Sequence, residues 1–280
     1  MPGTQTQSVR DVMAFQLARE FMLGVDGRVT EALLDRYVTL SDDAKSMTSL
    51  EGIYERLLVS AQNANMKASV IGGSIGGVGK LSAVLCGFSP KAVIVRYGSD
   101  DARLLGQIVQ EVKPTGQVRR TPRSIWPQFC RAALSGAAFL SQFDSAEDFG
   151  KWVSFFDNDD RARPSLPMLL DSEIHGLGFA LACDFLKELG FLNFCKPDVH
   201  LKKILVGLKL SDSSEDYPVF KAIVRIAKNN GKKPYEIDKL FWLIGSGKFY
   251  GKFTDDSISV GKHAEEFIRY AQPRLAIAAV

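Results

Sequence analysis

The stretch that decides the fold begins Leu166-Pro-Met-Leu-Leu-Asp-Ser-Glu-Ile-His175-Gly176-Leu177-Gly178-Phe-Ala-Leu-Ala-Cys-Asp-Phe-Leu-Lys-Glu-Leu-Gly190. After a short link it resumes as Lys196-Pro197-Asp198-Val199-His200-Leu201-Lys202-Lys203-Ile204-Leu205. Two helical patterns meet at Gly176-Leu177-Gly178, and a third helix starts at Asp198. A tight glycine hairpin exposes backbone N–H groups, and such groups bind phosphate. The start of a helix favours negative charge, so Asp198 is a well-placed carboxylate. Together they suggest a protein that grips a nucleic-acid backbone and sets one negative charge beside it.

The flanking sequence extends the helical pattern in both directions. Apolar residues recur at helical spacing in 8–23, 30–40 and the segment capped by Ser49. Ser89-Pro90 opens another helix with proline at its first position. Residues 100–112, 125–143 and 145–156 come next, and then 218–228, 234–244 and 263–271 beyond the central stretch. The apolar tail 275–280 is expected to pack down. No run of alternating strands is found, so the expected fold class is all-α. The expected organisation is two-lobed, with a helix-hairpin-helix motif and a cleft between the lobes. Residues 1–65 would pack with the C-terminal helices as one lobe. Residues 66–190 would form the central lobe, and 191–280 would carry the Asp198 helix and the C-terminal helices.

Composition excludes several classes. The net charge of +3 permits a nucleic-acid partner without requiring one. Three histidines and four scattered cysteines argue against a zinc site. No apolar run is long enough to span a bilayer, and residues 1–7 lack the pattern of a signal peptide. A cytoplasmic protein with reduced thiols is expected. The glycine run from Gly72 to Lys80 resembles a P-loop, but Ser74 and Leu81 stand where that motif needs glycine and a hydroxyl residue. It reads as a turn between helices. The basic link 114–123, with Arg119, Arg120 and Arg123, reads as a solvated face that could also meet phosphate.

Three separated motifs resemble the helix-hairpin-helix DNA glycosylase superfamily. Gly176-Leu177-Gly178 followed by Ala182 is similar to its hairpin, and Pro197-Asp198-Val199-His200 to its Val-Asp-Thr-His. Leu57-Leu58-Val59-Ser60-Ala61-Gln62 is similar to its upstream Leu-Leu-Ser-Ala-Gln. The motifs occur in the family's order, and Ala180 and Asp198 stand 18 positions apart (198 − 180), as in endonuclease III relatives. The resemblance covers roughly residues 49–208.

The resemblance implies a partner, double-stranded DNA containing a damaged or modified base, bound by a monomer. It implies a DNA glycosylase that flips the base out and hydrolyses its N-glycosidic bond, in base excision repair or in defence against modified phage DNA. By the same resemblance, Asp198 is the catalytic carboxylate. DNA contacts fall to Gln62, which fills the hole left by the flipped base, with Asn63 or Asn65 beside it. His175, Gly176, Leu177, Gly178 and Lys196 contact the backbone, and Lys202 and Lys203 are further phosphate candidates. Trp126, Trp152 and Trp242, with Phe129, are candidates to stack on the extruded base, although each also suits a core. No side chain binds a metal, but K+ or Na+ can sit on hairpin carbonyls near Gly176 and Gly178.

The departures from the family pattern also carry meaning. Ala180 occupies the slot where bifunctional members keep a nucleophilic lysine, so the implied enzyme is monofunctional. The family's four-cysteine iron–sulfur motif is absent, and the segment from Gln62 to the hairpin is longer. Two alternatives stay open. One is a bifunctional glycosylase/lyase using another amine, such as Lys196. The other is a DNA-binding protein that has lost catalysis.

Overall fold

The computed structural model describes residues 2–39, 48–64, 70–249 and 258–277. The chain is all-α: among the described residues it has fourteen α-helices and no strand beyond a single bridge between Lys248 and Ser259. In chain order the helices are α1 (Pro2–Val25), α2 (Glu31–Thr39), α3 (Leu50–Ala61), α4 (Gly72–Ile75), α5 (Pro90–Tyr97), α6 (Asp101–Gln107) and α7 (Ile125–Leu140). They continue with α8 (Ala146–Asp157), α9 (Ser165–Glu173), α10 (Phe179–Glu188), α11 (Val199–Gly207), α12 (Asp216–Asn229), α13 (Pro234–Ser246) and α14 (Ala264–Ile277). No described helix is long and apolar enough to cross a membrane.

Local chemistry sets many of these boundaries. The Ser49 hydroxyl accepts the Gly52 N–H at 3.1 Å at the start of α3, and Ser145 accepts the Asp148 N–H at 3.1 Å at the start of α8. Ser89 and Pro90 start α5 as expected. The expected helix 100–112 is divided: α6 passes at Ile108 into a π turn that ends at Lys113 in a left-handed conformation. At the C-terminus, α14 continues through Pro273 to Ile277, burying Leu275, and residues 278–280 lie outside the described set.

The chain divides into two compact units, residues 1–42 with 190–280, and residues 43–189. The expected first boundary at residue 65 therefore moves to 42. The cause is α3, whose buried face packs against α7 and α10. A Cβ at Gly136 of α7 would lie 2.9 Å from Leu57 Cδ2, so glycine is what lets these two helices approach. The buried Tyr54 hydroxyl donates to the Ala133 carbonyl at 2.8 Å across the same interface. In the other unit, α1 packs on α12, α13 and α14, and α11 packs on α12, α13 and α14. Buried Asp11 on α1 accepts from Arg225 at 2.7 Å and from Asn229 at 2.8 Å, so a charged network joins α1 to α12.

Candidate functional site

The hairpin lies in the unit formed by residues 43–189. Ile174 and Leu177 are fully buried and act as its two anchors. Between and after them, His175 and Gly176 are exposed and Gly178 is half-buried. Gly176 and Gly178 have φ of +71° and +32°, a region that strains any residue with a Cβ. The Leu177 N–H donates to the Ile174 carbonyl at 3.1 Å, which closes the turn. Gly178 supplies no side-chain cap to α10. The first-turn N–H groups of that helix therefore have no acceptor at the cap.

Helix α7 holds the hairpin in place. The His175 N–H donates to Ser135 Oγ at 2.9 Å. The His175 ring nitrogen Nε2 lies 2.5 Å from Gln128 Oε1, and Arg131 Nε lies 3.4 Å from the same nitrogen. His175 thus ties the hairpin to α7. A cavity of about 250 Å³ beside it is lined by Gly176, Ala61, Ala64, Arg123, Gln128 and Phe129, among others.

Gln62 sits at the C-terminal end of α3, and its side chain does not project outward as a wedge needs to. It is only 7 % exposed, and its Oε1 accepts the Gly72 N–H at 3.1 Å. A Cβ at Gly72 would collide with that oxygen. Gln62 therefore pins the glycine segment that the sequence assigned to a turn. That segment forms α4 and a 3-10 turn at Val78–Leu81, with Gly76 and Gly77 at positive φ between them. Asn63 is half-buried and donates to the Val59 carbonyl at 3.3 Å, while Asn65 lies outside the described residues.

Asp198 lies in the other unit, at the N-cap of α11. Its Oδ1 accepts both helix-start N–H bonds, from His200 at 2.9 Å and Leu201 at 3.1 Å. Its Oδ2 accepts no hydrogen bond among the described residues. The approach to Asp198 is held firmly: the Lys196 N–H donates to Asp238 Oδ2 of α13 at 2.7 Å, and Pro197 is buried.

Two glycines fix the seat of α11. A Cβ at Gly245 of α13 would lie 2.5 Å from His200 Cβ, and one at Gly207 would lie 2.6 Å from Ile268 Cδ1 of α14. His200 also packs edge-on against Trp242, with ring centroids 6.2 Å apart. His200 is thus a packing residue of the Asp198 helix.

Several candidate contacts are already engaged elsewhere. Lys202 pairs with Asp216 at 2.5 Å and the half-exposed Lys203 with Glu265 at 2.7 Å. The sequence could not show these partners, which come from α12 and α14. Trp152 belongs to an aromatic cluster with Phe139, Phe143, Phe149 and Phe156, as a core residue would. Trp126 is 5 % exposed and stacks edge-on with Phe129. Trp242 is half-buried and touches the helix that begins at Asp198. Among the described residues, no group of three or more His, Cys, Asp or Glu side chains could hold a metal ion.

The fold is that of a helical DNA glycosylase. The chain is similar to the Methanocaldococcus jannaschii 8-oxoguanine glycosylase/lyase, whose crystal structure holds a 15mer DNA containing 8-oxoguanine. The match has a TM-score of 0.52 at 15% identity and covers 83% of this chain and 98% of that one. No family model matches the sequence, and no curated protein matches it.

Proposed function

We propose that this protein is a monofunctional DNA glycosylase acting on a damaged or modified base. The observation that carries the reading is Asp198, with one carboxylate oxygen spent on the cap of α11 and the other unbonded. The hairpin N–H groups would hold a phosphate while the target nucleotide is extruded. As the bond from C1′ to the base lengthens, its electron pair leaves with the base and positive charge grows on the sugar. A fixed carboxylate stabilises that charge. Water then adds at C1′, its proton passes to the carboxylate or to solvent, and an abasic site remains.

Ala180 supports hydrolysis, because an alanine in the family's lysine slot cannot attack the sugar. A monovalent cation on the hairpin carbonyls near Gly176 and Gly178 belongs to the same reading. For the base pocket, Trp242 is the favoured stacking residue of the three tryptophans, since it packs on the helix that Asp198 caps.

The test is a base-release screen by mass spectrometry on genomic DNAs of differing modification. It is expected to find one class of released base, with an intact strand until the abasic site is cleaved by alkali. Borohydride trapping during the same reaction should give no covalent adduct. An adduct would replace hydrolysis with a lyase mechanism using an amine such as Lys196. Tight DNA binding with no abasic product on any substrate would replace catalysis with binding alone.

A further inference from the structure

The segment between the π turn and α7, residues 113–124, carries Lys113, Arg119, Arg120 and Arg123, all exposed. No ion pair engages any of these four side chains among the described residues. Of the acids nearest in sequence, Asp101 pairs with Arg131 at 3.5 Å and Glu111 with Arg96 at 3.8 Å.

The segment is nonetheless anchored at both ends. Near its start, the Thr115 N–H and hydroxyl donate to the Ser74 carbonyl at 2.9 and 3.1 Å. Near its end, the Pro122 carbonyl accepts from Gln128 Nε2 at 3.2 Å and from Arg131. Gln128 and Arg131 are the same two side chains that engage His175 of the hairpin. One face of α7 thus holds the hairpin and the arginine segment together.

The surface between them is concave and continuous. The cavity beside the hairpin contains both Gly176 and Arg123. A second depression of about 550 Å³ runs on from Arg123 and Ile125, shared by both, past Ser124 and Thr121 to Arg119 and Gln117. The N-terminus of α7 opens onto this path without a side-chain cap hydrogen bond from Ser124. A groove with guanidinium groups that make no ion pair among the described residues, an open helix start and threonine and serine hydroxyls suits a phosphodiester backbone.

We propose that residues 115–124 form a second DNA-backbone contact, continuous with the hairpin and independent of base identity. It lengthens the footprint on duplex DNA by the phosphates that Arg119 and Arg123, which line these depressions, neutralise. This inference rests on the DNA-glycosylase reading and extends it.

The experiment measures affinity for undamaged duplex DNA across a salt series. It compares the wild-type chain, a variant carrying Arg119→Gln and Arg123→Gln, and a variant with lysine at the same two positions. Each phosphate contact contributes about 0.9 to the slope of log affinity against log salt. The glutamine protein is expected to lose about two from that slope, and the lysine protein to keep most of it. The single glutamine variants should each lose about one, which keeps the test open where the combined protein is unstable. A wild-type slope in the glutamine proteins would overturn the surface while leaving the enzymatic reading intact. Wild-type protein with no salt-dependent DNA binding at all would overturn both.

Discussion

The Lys196 N–H donates to Asp238 Oδ2 at 2.7 Å, and this bond fixes the chain two residues before Asp198. Asp238 is buried on α13 and cannot follow solvent. A misplacement of about 1 Å in a reacting group can cost on the order of a hundredfold in rate. Asp238→Ala should therefore lower single-turnover base release about 10–100-fold, with KM little changed. Asp238→Asn keeps an acceptor oxygen and should recover most of the rate. A loss carried wholly by KM would argue against this positioning role.

Gly245 allows α13 and α11 to touch, since an added Cβ would meet His200 Cβ at 2.5 Å. The obstacle lies at the base of a side chain and cannot rotate away. Gly245→Ala should destabilise the protein by about 1–3 kcal/mol, read as a fall in thermal unfolding midpoint. It should also slow base release, because α11 carries Asp198.

Gln62 has a structural duty that its sequence motif does not reveal. Its side chain satisfies the buried Gly72 N–H at 3.1 Å. Gln62→Leu fills similar space but offers no acceptor, and should cost about 1–3 kcal/mol in chemical denaturation. Unchanged stability would mean that the Gly72 N–H finds another partner.

Three of the four cysteines are buried, and Cys86 is half-buried. Burial also pushes the Cys130 thiol far above its usual range, which suppresses the reactive thiolate. Titration of the native protein with a disulfide reagent at pH 8 should modify Cys86 at most, and full labelling should require denaturant. Rapid labelling of more than one thiol in the native state would contradict this packing.

The legibility of the molecule from its sequence tracks the range of the interactions involved. Helix starts were readable because their determinants are local: Ser49, Ser89 and Asp198 each cap the next helix within three residues. The hairpin was readable because Gly176 and Gly178 are obligatory at positive φ and are flanked by apolar anchors. What the sequence did not show mostly involves distant partners. Lys202 and Lys203 are neutralised by acids on other helices, and Gln62 turns inward toward Gly72. The unit boundary moved because α3 finds its partners in α7 and α10, far along the chain. The π turn after Gln107 has no signal in the apolar periodicity, which continues through it.

The free oxygen of Asp198 carries the proposed chemistry, and Asp198→Asn tests it most directly. Asparagine retains an oxygen to accept the His200 and Leu201 N–H bonds, so the cap and the fold should survive. Single-turnover base release from modified DNA is expected to fall by at least about 10²-fold while DNA affinity and unfolding midpoint stay near wild type. Base release at the wild-type rate in the Asp198→Asn protein would contradict a catalytic role for this carboxylate.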